Sequence, residues 1–399
     1  MEKVSVFVPT AGDASKPLLC GTLIRDELRN YRFSYDSSFL TSKNGFELSP
    51  HAFSRSEKTS WQEQPPYVLS DAESSAWGQK VLACAGVDPS SLIFKFYPTC
   101  NRTGAISFRD MHAEALPTNL RNDLSACLEL SHKIETGDSN QADAQKLAPV
   151  TAGVGGARPK ALVELNTGRH LIAKFPSPTD LWPIVQTEFL GMQLARLASL
   201  DTADVELIDI DGEDVLLVER FDIESARDGS LRRHMFSALT ALQLADFEAR
   251  YASYPDFADF LMRYSHAPAE DCRELYRRMV FNMMVGNTDD HARNHSVFWD
   301  GSKCRLSPAY DIVVFPRVGL TSSQAMIVGN QGTAADAVNS LSKCSQFGLT
   351  RTEARGIHIE LADLIADNWR LVADEAGIPA PLQEKLGRNV ITPHRLLVD

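Results

Sequence analysis

The chain has 399 residues, 44% of them apolar and 23% charged, with a formal net charge of −12; it can bury a large core but is too acidic to grip nucleic acid or anionic lipid unaided. Seven cysteines, at 20, 84, 100, 127, 272, 304 and 344, form no CxxC pair, so neither a disulfide framework nor a zinc cluster is expected and a reducing cytoplasm is. The opening MEKVSVFVPT has no basic stretch leading into a long apolar run, and no 18-residue apolar segment occurs anywhere, so neither secretion nor a membrane span is expected.

Residues 1–108 alternate short β-like runs (VSVFVP, CGTLI, YRFSYD, LIFKFY) with turns and one helical stretch, DAESSAWGQKVLACAG, which reads as a β-rich module. The span 109–149 reads as a connector, helical by pattern to about 136 and then a linker, because GDSNQADAQKLAP has few large apolar residues. A new unit, 150–228, opens with TAGVGGARPKALVELNTGRHLIAKF, a glycine-rich turn at Val154, Gly155 and Gly156 feeding two strands that end at Lys174. Glycines let backbone amides approach phosphate oxygens, and a lysine on the adjoining strand supplies a point charge for them. The stretch is neither a Walker A loop nor a dinucleotide fingerprint, and a plain flexible turn is the alternative.

The following TEFLGMQLARLASL has the period of an amphipathic helix, with Glu188 near its start as either a lysine-positioning acid or one favoured by the helix dipole. VELIDI and DVLLVERF read as strands around Asp211-Gly212. Glu219-Arg220-Phe221-Asp222 then marks a hinge whose backbone could meet adenine edges, or an exposed charged link. Residues 229–399 read as a helical lobe interrupted by one hairpin. The expected fold class is therefore α+β, a β-rich lobe before a helical one, with the N-terminal module appended.

Within the helical lobe, Cys272, Leu275, Tyr276, Met279, Val280, Met283 and Met284 recur at i, i+3, i+4, i+7, i+8, i+11 and i+12, a helix stripe that Gly286 should terminate. HSVFW and CRL flank Asp300-Gly301, a hairpin turn signal. The loop between carries Asp289, His291 and Asn294, and the hairpin returns the chain to Asp311. A carboxylate and an amide oxygen from separate segments suit Mg²⁺ shared with substrate phosphates, which leaves Asp289 to orient or deprotonate a hydroxyl. The order Asp-x-His-x-x-Asn is not that of ordinary protein kinases and looks more like that of phosphatidylinositol kinases; a solvated polar loop is the bland alternative.

Over nearly its whole length the sequence resembles the HipA family, bacterial serine/threonine kinases that act as toxins of toxin–antitoxin pairs. The resemblance is carried by FSYDSSFL, GGARPKALVEL, LIAKF, LLVERFD, GNTDDHARNHSVF, LSPAYDI and a closing helix with Trp369. It implies a two-lobed kinase-like fold using ATP and Mg²⁺, with Asp289 as catalytic base, Asn294 and Asp311 on the metal, and Lys174 on the ATP phosphates. It also implies His291 and Tyr310 beside the nucleotide and Glu219 and Phe221 at the hinge. A HipB-like DNA-binding antitoxin is the implied partner, so that DNA is met only through it, and a protein is the implied substrate; relatives act on translation factors such as aminoacyl-tRNA synthetases. Glu188 and Asp290 gain no role from the resemblance, and Asp290 reads as a turn residue.

One departure stands out. Many relatives carry an autophosphorylated serine in the glycine-rich loop, whereas this chain has Ala152 and Gly153 there, with Thr151 the nearest hydroxyl. Weak or absent loop autophosphorylation is therefore expected. A pseudokinase binding module and a lipid or small-molecule kinase are the alternative functions.

Overall fold

Alternation of Val4, Val6 and Val8, all buried, is the period-two signature that makes the N-terminus a strand. The structure, a computed structural model, describes residues 1–10, 13–51, 60–99, 102–109, 120, 123–226, 229–316 and 322–389. It divides into two compact units, Met1–Leu181 with Ile208–Phe236 and Trp299–Ser302, and Trp182–Leu207 with Ser237–Phe298 and Lys303–Asp399.

In the first unit β1 (Glu2–Thr10), β2 (Asp13–Arg25), β3 (Tyr31–Tyr35) and β4 (Ser107–Arg109) form an antiparallel sheet of order β3-β2-β1-β4. Among the described residues its helices are, in chain order, α1 (Ser37–Thr41), α2 (Tyr67–Ser70), α3 (Ala76–Cys84), α4 (Leu92–Lys95), α5 (Leu124–Thr136) and α6 (Gln141–Thr151). A second sheet joins β5 (Lys160–Glu164), β6 (His170–Lys174), β7 (Val205–Ile210, entering the unit at Ile208) and β8 (Glu213–Glu219) in the order β5-β6-β8-β7. Asp211 and Gly212 link β7 to β8 with φ of 53° and 87°, the paired positive values of a tight hairpin turn. A hairpin of β9 (Ile223–Ala226) and β10 (Gly229–Arg232) follows, and then β11 (Met235–Ser237).

Two elements differ from expectation. The stretch read as a linker is mostly α6, because Asn140 caps it through Asp143 N and the small residues Ala144 and Ala148, with Leu147, form its buried face. Small side chains here allow close approach: a Cβ on Gly78 of α3 would lie 2.9 Å from the Cα of Ala152. LIFKFY, read as a strand, begins with the short helix α4, since the Ser91 hydroxyl accepts from Phe94 N and turns the chain at its start. The helical reading at 110–119 and 121–122 lies outside the described residues. Trp77 and Val81 of α3, Leu130 of α5, Leu147 of α6, Leu171 of β6 and Leu217 of β8 share one core.

The link at 219–222 is not an exposed charged segment. Arg220 and Asp222 form a buried ion pair with N–O distances of 3.0 and 2.7 Å. Asp222 also accepts from Gly104 N, and Arg220 donates to the Arg102 carbonyl. Burial alone would raise the Asp222 carboxyl, but the Arg220 charge and hydrogen bonds outweigh it and hold it below the usual range. Arg102 is 1% exposed, and burial pushes its guanidinium down to about 9.

His234 is another buried titratable group in this unit. Its Nε2 donates to the Leu48 carbonyl at 2.7 Å, which fixes the neutral tautomer, and burial pushes its pKa down to about 4 against an ordinary 6.5. Between those values the unfolded chain binds a proton that the native state refuses, so this contribution to stability is whole above pH 6.5 and lost as pH falls toward 4. The full span is worth on the order of 3 kcal/mol. Thermal denaturation from pH 7.5 to 4.5 should show a falling melting temperature, and His234→Gln, which keeps a donor for Leu48, should flatten that slope.

The second unit is largely helical. It contains α7 (Ile184–Leu197), α8 (Ala238–Ala241), α9 (Tyr254–Tyr264), α10 (Pro268–Val285), the strands β12 (Ser296–Trp299) and β13 (Cys304–Leu306), and then α11 (Ala337–Leu341), α12 (Arg351–Glu375) and α13 (Ala380–Asn389). Thr350 and Glu353 cap α12 reciprocally, and α12 packs on α7 and α10. Among the described residues no helix is long and apolar enough to cross a membrane.

Candidate active site

Helix α10 builds the site. All seven residues of its predicted stripe are at most 2% exposed, and Gly286 ends it with φ of 74°, the left-handed value that suits glycine. Three polar residues lie buried among these apolar ones, Asp271, Arg278 and Asn282, each no more than 3% exposed. Each holds a later segment of chain. Asp271 accepts from Leu306 N of β13 and from Arg305. Arg278 donates to the Ser307 carbonyl at 2.8 Å and to the Asp201 carbonyl at 3.0 Å, and Asn282 reaches Asp290 and Asn287. Sequence reading passes over all three, because a lone polar residue on an apolar stripe resembles a solvent-facing one.

The loop after Gly286 is pinned by its own backbone. His291 N donates to the Asp289 carbonyl and Asn294 N to that of His291, both at 2.8 Å, closing a single 3₁₀ turn over Ala292–Asn294. The Asn294 side-chain NH₂ also donates to the Asp289 carbonyl, at 3.3 Å, so its amide oxygen is not the atom used there. Asp289 is exposed and its neighbour Asp290 is 2% exposed. Asp290 is therefore no mere turn residue: it is buried and accepts hydrogen bonds from α9 and α10.

Ser307 and Ala309, held by Arg278 and Asp201, lead into Tyr310 and Asp311. The Tyr310 hydroxyl donates to the Arg293 carbonyl at 2.7 Å and so accepts from Ser296, at 2.6 Å. Asp311 takes φ of 62°, a left-handed value uncommon for a residue with a Cβ. Its carbonyl meets the Asn287 side chain at 3.4 Å. Helix α7 holds the next residues: the Thr187 carbonyl accepts from Val314 N, and a Cβ on Gly191 would lie 2.2 Å from the Ile312 carbonyl oxygen. Only glycine permits that approach. Glu188, one residue after Thr187, is 4% exposed.

Asp289, His291, Asn294, Tyr310 and Asp311 thus sit on one hydrogen-bonded framework in the second unit. Val154, Gly155, Gly156, Lys174, Glu219 and Phe221 belong to the first. There, the Gly153 carbonyl accepts from Thr103 N and the Gly156 carbonyl from Trp77 N. The Gly155 carbonyl accepts from the Lys160 ammonium at 2.8 Å. Lys160, which sequence reading missed, stands directly opposite Lys174 in the β5–β6 register. Gly156 has φ of 101°, and the space beside Gly155 is open to 4 Å, so a phosphate could approach this backbone. Glu219 accepts from Arg169 at 3.0 Å through its side chain.

Thr151 is fully buried at the end of α6, and its hydroxyl donates back to the Leu147 carbonyl at 3.2 Å. A hydroxyl so placed is shielded from solvent. Mass spectrometry after incubation with Mg²⁺-ATP should find Thr151 unmodified; high occupancy with loss of activity would show that it serves as the loop switch.

A metal here would need shared ligands. Among the described residues no group of three or more His, Cys, Asp or Glu side chains could hold an ion by itself. Mg²⁺ commonly takes one or two protein oxygens and completes its shell with phosphates and water, and the amide oxygen of Asn294 and the carboxylate of Asp311 are hard donors of that kind. The His291 Nδ1 is buried without a hydrogen-bond partner, which leaves it available to a bound polar group.

Residues 152–369 match the family model of the HipA-like C-terminal domain. The putative kinase Y4mE of Sinorhizobium fredii is 31% identical over 55% of this chain and 46% of its own length. The serine/threonine-protein kinase toxin HipA of Shewanella oneidensis is 28% identical over 33% of this chain and 34% of its own. The matches thus span less than half the length of these curated relatives. In the complex of Shewanella oneidensis HipA, HipB and operator DNA, a chain covers 99% of this one and is itself 96% covered, with a TM-score of 0.72 and 20% identity. That likeness concerns the fold, which is the α+β kinase-like fold expected.

Proposed function

The chain belongs to the family of the HipA-like C-terminal domain, and from that premise we propose that it is a protein serine/threonine kinase, the toxin of a toxin–antitoxin pair restrained by a HipB-like DNA-binding protein. The observation that carries this reading is the contrast on the α10 loop: Asp289 is exposed while Asp290 beside it and Asn294, which donates to its carbonyl, are buried. Asp289 accepts the proton of a protein serine or threonine hydroxyl as that oxygen bonds to the γ-phosphorus of ATP and the bond to the bridging oxygen of ADP breaks. Asn294 and Asp311 would hold Mg²⁺, which supplies charge neutralisation when bound. Lys174 adds a point charge on the phosphates, and the Gly155–Gly156 backbone offers amides to them. The Glu219 and Phe221 backbone serves the adenine, and His291 and Tyr310 line the nucleotide. An acidic chain of net charge −12 meets DNA only through its partner.

Controlled expression in bacterial cells tests this. Growth should halt with the wild-type chain, continue with Asp311→Ala, and be restored when the partner is co-expressed. Equal arrest by wild type and Asp311→Ala would favour a binding module that acts without transferring phosphate.

A further inference from the structure

Asp290 has no part in the chemistry above, yet its surroundings are the most elaborate around the site. Its Oδ2 accepts from the Asn282 side chain at 2.7 Å and from the Tyr254 hydroxyl. Its Oδ1 lies 3.0 Å from Nε2 of His295, a close approach without hydrogen-bond geometry. The two donors come from α10 and α9, and His295 is the residue entering β12. A carboxyl group this buried needs hydrogen bonds to offset its lost hydration. Burial first, and the Asp290 charge second, push the Tyr254 phenol well above its usual range, so it remains a donor.

The network continues to the other proposed catalytic segment. Asn282 uses its Nδ2 on Asp290 and its Oδ1 to accept from Asn287 at 2.9 Å. The same Asn287 group reaches the Asp311 carbonyl, and Gln324 donates to the Asn287 carbonyl at 3.1 Å. One run of hydrogen bonds therefore joins the residue after Asp289 to the backbone of Asp311, where φ is 62°.

We propose that Asp290 is a positioning residue: anchored to Tyr254 and Asn282 and set against His295, it holds Asp289 outward and, through Asn282 and Asn287, sets the Asp311 backbone in register with it. This rests on the catalytic reading of Asp289 and Asp311 given above. The effect belongs to placement and not to nucleotide affinity, so the rate at saturating ATP should fall while the half-saturating ATP concentration stays put. A misplacement on the ångström scale costs about 100-fold in rate.

The test uses the full chain as wild type, Asp290→Ala, Asp290→Asn and Tyr254→Phe, with two readouts: labelling of extract proteins from Mg²⁺-ATP, and hydrogen exchange by mass spectrometry. Asp290→Ala should lose about 100-fold in saturating rate and exchange faster at 287–294 and 306–314. Asp290→Asn should recover much of both, because its amide oxygen can serve Tyr254 and Asn282. Tyr254→Phe, which deletes one hydroxyl and keeps the ring, should show a smaller loss in the same direction and answers the question if Asp290→Ala does not fold. Unchanged saturating rates in the folded variants, or faster exchange spread evenly over the chain, overturn the proposal. If the wild type transfers no phosphate, the kinase reading fails, and the exchange pattern still decides whether Asp290 fixes the two segments.

Discussion

Asp289→Asn is expected to lower phosphoryl transfer to protein by roughly two to four orders of magnitude, the range typical of losing a positioned general base. Folding should be untouched, because Asp289 is exposed and the loop is held through its backbone carbonyl, which accepts from His291 N and from Asn294. Nucleotide binding should survive as well, since the proposed ATP contacts lie on other residues. Labelling rates, melting temperature and the affinity for a fluorescent ATP analogue, compared between wild type and variant, check all three. Transfer at an undiminished rate would remove Asp289 from the role of base.

Asp222→Ala should have the largest effect on stability, a loss of about 3–5 kcal/mol, the usual consequence of stranding one member of a buried ion pair. The surroundings make the loss severe. Arg220 would remain buried beside Arg102 and Arg232 without a carboxylate, and Gly104 N would lose its acceptor. Urea unfolding measures it through the midpoint at a constant slope. Asp222→Asn, which keeps an acceptor for Gly104 N but no charge, should fall between, and a midpoint for Asp222→Ala equal to wild type would show that Arg220 finds other compensation.

What could be read in the sequence, and what could not, follows from the range of the signals. The α10 stripe, its Gly286 stop and the turns at Asp211-Gly212 and Asp300-Gly301 were legible because each is written within a few residues of itself. Helix α6 was missed because alanines bury a face without looking hydrophobic, and α4 because a serine cap outweighed a β-prone run. The polar residues of α10 were illegible for a different reason: Arg278 meets Ser307 and Asp271 meets Leu306, partners that only the fold brings near. Asp289 and Asp290 make the point most sharply, being identical and adjacent, one exposed and one buried. Two aspartates in a row carry no mark of which is buried. The ion pair of Arg220 and Asp222 was likewise hidden, since neither reading of that tetrapeptide, a hinge or an exposed charged link, places its charges in a core.

The most direct measurement for the central claim is the fate of the γ-phosphate when purified wild-type chain is incubated with Mg²⁺, labelled ATP and a cell extract, with phosphoinositide vesicles in a parallel reaction. The account predicts Mg²⁺-dependent label on the serine or threonine hydroxyls of one or a few proteins, with none transferred to lipid. Bound nucleotide with no labelled protein, or stoichiometric labelling of lipid alone, would contradict it.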